Sequence, residues 1–334
     1  MSGIALSAVN VTKIGAQSNI VSNRRTGVAP VSTDPHESFS KMETGATHGP
    51  TLLLRRHSIF FVSIRVPSWL TRRVEVIIQP NQEAAASLVA RIVAHELRAN
   101  PHLVLGLATG VTMERVYRHL VRLHRQENLD FSLCSTFNLD EYVGLFPSDP
   151  NSYRHYMDHH LFGHVNIELR NTHLPNGLAN DLDAECRNYE ALIQRFGGID
   201  LQLLGIGKAG HIGFNEPLSA LRSRTRVKAL TPTTLKQNAP GFGGEDKMPR
   251  RAITMGVGTI IEARRCLLLA TGDSKADVIA QAVEGPITSM VTASALQLHA
   301  RCTVVVDEEA GAKLQEQEYY RWIFANEPEW ESYR

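Results

Sequence analysis

Leu103-Val104-Leu105-Gly106-Leu107-Ala108-Thr109-Gly110-Val111-Thr112 joins a five-residue apolar run to a Gly/Thr turn and the opening of a helix. The run is too short for a buried helix and does not alternate with polar residues, so it predicts a strand covered on both faces. A helix is expected from about Thr112 to His124. The same texture recurs on either side. Upstream, Val74-Glu75-Val76-Ile77-Ile78 predicts a strand ended by Pro80-Asn81. A helix from about Gln82 to Ala99 follows, with Ala86, Leu88, Val89, Ile92, Val93 and Leu97 on one face. Downstream, strands are expected at Leu133 to Asn138, Leu201 to Leu204, Ala252 to Met255, Cys266 to Ala270 and Cys302 to Val306. Helices are expected between several of them, notably at Asp183 to Phe196 and Lys275 to Val283.

Short apolar strands alternating with amphipathic helices predict an α/β fold: a doubly wound, mostly parallel sheet with helices on both faces, in the manner of a modified Rossmann-like domain. We expect one such domain over residues 74–325, followed by a C-terminal tail over 326–334. Residues 1–73 lack sustained periodicity, and 1–50 are rich in Ser, Thr, Gly, Asn and Val. They read as a disordered or non-native N-terminal extension.

Composition narrows the function classes. With 43% hydrophobic and 21% charged residues among 334, the chain falls outside the collagen-like, disulfide-framework and wholly disordered classes. Lys plus Arg is 35 and Asp plus Glu is 34, a formal charge of +1. That balance gives no basis for a nucleic-acid or membrane-surface protein, so any anion recognition must be local. Cys134, Cys186, Cys266 and Cys302 form no CxxC pair and read as reduced core thiols of a cytoplasmic protein, without a metal site. The longest apolar run, Ile59 to Leu70, is interrupted by Arg65 and falls short of the roughly 20 residues that span a bilayer.

Parallel sheets bind ligands outside the carboxyl ends of their strands, and four polar clusters follow immediately after expected strands. Thr109, Gly110 and Thr112 combine a glycine turn, hydroxyls and a helix N-terminus, which suits a phosphate; the same turn also reads as an ordinary capped helix. In Phe137-Asn138-Leu139-Asp140-Glu141-Tyr142-Val143-Gly144-Leu145, one of two adjacent acids can act as a base while the other is held by hydrogen bonds; an acidic cap is the plainer alternative. In the run from Gly205 to Pro217, three glycines lie close ahead of His211, and Glu216 follows five residues later to orient or charge-stabilise that imidazole. The glycine spacing is not a dinucleotide fingerprint, so no nicotinamide is expected. Thr271-Gly272-Asp273-Ser274-Lys275 puts a cation at a helix opening, where the dipole disfavours it unless an anion binds.

Phe137 to Leu145, Gly205 to Pro217, Ser223 to Arg226 and Ser294 to His299 resemble glucosamine-6-phosphate deaminase, with the likeness running in order from about Val74 to Asp307. The resemblance implies conversion of glucosamine 6-phosphate and water to fructose 6-phosphate and ammonia, without metal or organic cofactor. It implies Asp140 as the base that moves a proton from carbon 2 to carbon 1, and His211 as the ring-opening group tuned by Glu216. Thr109, Gly110, Thr112 and Lys275 become the phosphate cradle. A homo-oligomer is implied, hexameric in some members, with Ser219, Arg226 and Lys228 matching positions that bind N-acetylglucosamine 6-phosphate as activator. Those members also use a free amino terminus near the position of Val74, so a genuine extension predicts weak or absent activation.

Three departures stand out. Ala209 replaces an Asp or Asn that can partner the histidine, and Val111 replaces a glycine of the phosphate turn. Asn238-Ala239-Pro240-Gly241 lacks an arginine used for the phosphate; Lys236, Lys247 and Arg250 are nearby cations, and weaker phosphate binding or altered specificity is expected. The rival readings are a 6-phosphogluconolactonase-like hydrolase and a catalytically impaired sugar-phosphate-binding protein.

Overall fold

Seven parallel strands form the centre of the protein, in the order β1-β10-β9-β6-β2-β3-β5. They are β1 (Val74–Gln79), β2 (Val104–Leu107), β3 (Ser135–Asn138), β5 (Thr172–His173), β6 (Leu201–Leu204), β9 (Arg265–Ala270) and β10 (Cys302–Asp307). The computed structural model describes residues 74–334; the expected extension over 1–73, with its apolar run at 59–70, lies outside the described residues. Every residue of β2, β3, β6, β9 and β10 is buried, as strands covered on both faces require. The expected doubly wound α/β architecture is therefore present.

The covering helices include α1 (Gln82–Ala99), α2 (Val111–Glu127), α4 (Leu182–Arg195) and α7 (Ala276–Val283). Asn81 caps α1 by accepting the Ala84 N–H, and the helix buries Leu88, Val89, Ile92, Val93 and Leu97. All four cysteines are buried and unpaired. No described helix is long and apolar enough to cross a membrane.

One expectation needs correcting. The strand read near Ala252 to Met255 is β8 (Arg251–Thr254), and it does not join the parallel sheet. It pairs antiparallel with both β4 (Asp140–Tyr142) and β7 (Arg226–Ala229) in a separate three-stranded sheet. β7 is only partly buried and begins with arginine, so its run carried no apolar signal. The short helices α3 (Tyr153–His160), which buries only Met157, and α5 (Pro232–Phe242), which contains Pro240, escaped the apolar pattern for the same reason.

The segment read as a C-terminal tail packs onto the core. Trp330 is fully buried, its ring centroid 6.1 Å from Phe324 and 5.7 Å from Tyr333, with the Arg265 guanidinium 5.9 Å away. Truncating a buried Trp costs about 3–5 kcal/mol. Trp330→Ala should therefore lower Tm by on the order of 10 °C. An unchanged thermal melt would remove this segment from the core.

Candidate active site

β2 and β6 are neighbours in the sheet, yet the chain returns to it on opposite sides of them, at β3 and at β9. Such a switch in winding leaves a crevice outside the carboxyl ends of the strands. Here it is a cleft of about 430 Å³. Thr109, Gly110, Thr112, Asp140, His211 and Lys275 all line it.

The phosphate turn is built from α2. Gly110 precedes the helix with φ 113°, and no side chain caps the free N–H groups behind it. Val111 is the first helical residue, and it is 72% exposed. The left-handed angle thus falls on Gly110, and the valine departure does not reshape the turn. Tyr156 Oη donates to the Gly110 carbonyl at 2.9 Å, and Tyr117 Oη donates to the Ala108 carbonyl. Two tyrosines thus fix the carbonyls of the turn, whose residues Ala108 to Met113 line the cleft. Lys275 ends the 3-10 turn before α7, and its ammonium donates to the Ile206 carbonyl at 2.6 Å.

The paired acids separate as β4 alternates. Glu141 accepts N–H bonds from Tyr142 at 2.8 Å, Tyr153 at 3.0 Å and Arg154 at 2.9 Å, anchoring the start of α3. Burial still holds its carboxyl above the ordinary range. Asp140 lines the cleft and accepts no side-chain hydrogen bond from the described residues. Burial, then the neighbouring Glu141 charge, push it up to about 8. Leu139 places it, donating its N–H to Leu107 and accepting from Met255 as the chain passes from one sheet to the other.

The loop after β6 closes over this carboxyl. An added Cβ at Gly213 would lie 2.9 Å from Thr254 Oγ1 and 3.4 Å from Asp140 Oδ2, so only glycine permits the approach. His211 Nδ1 lies 3.3 Å from Glu216 Oε2, an ion-pair separation without hydrogen-bond alignment. Glu216 does not line the cleft; it sits behind the imidazole, buried, and accepts from the Thr234 hydroxyl. Burial alone would raise its carboxyl, but the facing imidazole and the Thr234 hydroxyl override it and hold it at about 2. Glu216 is therefore ionised, and it is the carboxylate facing His211 where Ala209 offers none.

The three expected effector residues do not line the cleft. Ser219 is buried with its hydroxyl unpartnered. Arg226 and Lys228 share β7, and Arg226 donates to Asn215 Oδ1 at 2.8 Å, one residue before Glu216. Sequence reasoning missed Tyr153, Lys208, Thr234, Gln237 and Asn238, all of which line the cleft. It also offered Lys236, Lys247 and Arg250 as substitute cations, and none of these reaches it. A second hollow of about 370 Å³ borders Glu141, His173 and Tyr189, but it contains neither Asp140 nor His211. Among the described residues, no group of three or more His, Cys, Asp or Glu is arranged to hold a metal.

Residues 79–305 match the family of glucosamine-6-phosphate isomerases/6-phosphogluconolactonases. The chain belongs to this family. Within it, the glucosamine-6-phosphate deaminase of Hahella chejuensis is 48% identical over 250 residues, spanning 75% of this chain and 95% of that protein. That of Shewanella loihica is 49% identical over 252 residues, spanning 75% and 94%. A solved monomeric glucosamine-6-phosphate deaminase matches with a TM-score of 0.71 and 46% identity, over 72% of this chain and 100% of that one. The 6-phosphogluconolactonase from Trypanosoma cruzi matches with a TM-score of 0.59 at 18% identity, over 73% and 97%, which speaks for a shared fold alone.

Proposed function

We propose that this chain is a glucosamine-6-phosphate deaminase, converting D-glucosamine 6-phosphate and water to D-fructose 6-phosphate and ammonia. The observation that carries the reading is that Asp140 and His211 open onto the same cleft as the uncapped N-terminus of α2 and Lys275. The phosphate binds at Thr109, Gly110, Thr112 and Lys275, and that remote contact orients the sugar for the chemistry. His211, faced by the ionised Glu216, passes a proton from the anomeric hydroxyl to the ring oxygen, and the C1–O5 bond opens to the aldehyde. Asp140 takes the carbon 2 proton, made acidic by the adjacent carbonyl, and delivers it to carbon 1, while one proton of the substrate ammonium passes to the carbonyl oxygen on carbon 1. Carbon 2 becomes an iminium; water adds there, ammonia leaves, and the ketose remains. No cofactor is assigned a step.

The identity to named deaminases, 48–49% against 18% to the lactonase, favours this reading over lactone hydrolysis. An ammonia-coupled assay with glucosamine 6-phosphate should register turnover, and 6-phosphogluconolactone should be hydrolysed far more slowly. Lactone hydrolysis without ammonia release would sink the proposal. Ser219, Arg226 and Lys228 are proposed as contacts for an acetylated sugar phosphate, supported by the unpartnered Ser219 hydroxyl and the Arg226 link toward Glu216. A homo-oligomer is proposed on the resemblance; the solved relative is a monomer, and sedimentation of this protein decides. A cytoplasmic setting is proposed with it, supported by four unpaired thiols.

A further inference from the structure

Two lysines line the same cleft from segments that follow different strands. Lys275 follows β9, and its ammonium donates to the carbonyl of Ile206, which follows β6. Lys208 lies two residues beyond that carbonyl, in a tight turn where Gly210 N–H donates to Gly207 at 3.0 Å. The Gly207 N–H in turn donates to the His211 carbonyl at 2.8 Å, so Lys208 and His211 are carried by one closed loop. Lys208 lines the cleft, is exposed, and makes no hydrogen bond or ion pair among the described residues. Among the described residues, the only carboxyl on the lining is that of Asp140. From α5 the cleft receives Thr234, Gln237 and Asn238, all uncharged.

We infer that Lys208 is a second cationic ligand of the substrate phosphate, acting with Lys275; this rests on the deaminase reading above. Charge balance supports it. A phosphate monoester carries about −1.5 to −2 near pH 7. Lys275 and a helix N-terminus of roughly +0.5 leave part of that charge uncompensated, and one more ammonium completes it. Burial first, and the Lys208 charge second, depress the Lys275 ammonium, so the two cations already act on each other with no anion between them. A bound dianion turns that repulsion into attraction to a common centre. The weaker phosphate binding expected from the absence of an arginine near Pro240 is thereby offset by a lysine that lines the cleft.

The test uses the full chain. Lys208→Ala should raise KM for glucosamine 6-phosphate about tenfold, and weaken competitive inhibition by inorganic phosphate by a similar factor. kcat should stay within about twofold, and Lys208→Arg should restore most of the loss. A lysine that merely shapes the turn would instead lower kcat through His211 and leave phosphate inhibition unchanged. That result, or an unchanged KM, would overturn the inference. A wild type that releases no ammonia fails the deaminase reading instead. Calorimetric titration with inorganic phosphate then still judges the lysine: weaker binding to Lys208→Ala supports it, and equal binding overturns it.

Discussion

Asp140→Asn should lower kcat on glucosamine 6-phosphate by on the order of 10³-fold while substrate binding is largely kept. An amide has no lone pair basic enough to take a proton from carbon, and no other carboxyl among the described residues lines the cleft. The pH dependence is specific. Burial and the Glu141 charge raise the Asp140 carboxyl to about 8, and the base acts only when ionised. kcat/KM of the wild type should therefore climb with pH and level off above about 8. Stability moves the opposite way. The unfolded chain releases this proton near 3.8 while the folded chain retains it to about 8, so the folded state binds more protons between those values. Stability contributed at this site falls as pH rises through that window and stays low above it. The asparagine variant lacks the titration. It should melt close to wild type at about pH 4 and above it at about pH 9. Equal kcat in the two proteins would remove Asp140 from the chemistry.

Gly207→Ala should lower kcat by about 10²-fold with little change in Tm. A Cβ at position 207 would lie 2.0 Å from His211 Nε2, 2.3 Å from Cε1 and 2.4 Å from Cδ2. The imidazole must swing away, and with it the approach to Glu216 is lost. The glycine is half-buried in a loop, so the core is not disturbed. His211→Asn should cost a similar factor, and the double variant little more, because both changes remove the same positioned group. A fully active Gly207→Ala would show that the ring has room to move and that its place beside Gly207 is not needed.

Much of the scaffold was legible along the chain. Leu201–Leu204 and Gln82–Ala99 fall where the apolar spacing put them. A strand buried on both faces must be apolar throughout, and a helix lying on a sheet must be apolar on one side. The loops at 108–112, 137–145, 205–217 and 271–275 were recognisable as one edge because parallel strands put all their carboxyl ends there. The division of labour between Asp140 and Glu141 was half legible. Adjacency implied that they differ, but only the N–H bonds from Tyr142, Tyr153 and Arg154 decide which one is held.

Of the three-stranded sheet only β8 was legible as an apolar run; β4 is buried but three residues long, and β7 is partly exposed and carries two basic residues, so neither stood out and the antiparallel pairing left no trace. Lys208 had no signature either; an exposed lysine among glycines looks like any solvated loop. Its meaning comes from the Lys275 bond to Ile206, which joins positions 69 apart in the chain. Buried periodicity and strand-end chemistry are local properties, and so the sequence by itself determined the α/β scaffold and the edge that carries the site. Which side chains share the cleft, which carboxyl stays protonated and which cations face an anion depend on distances between remote segments, and those only the tertiary structure decided.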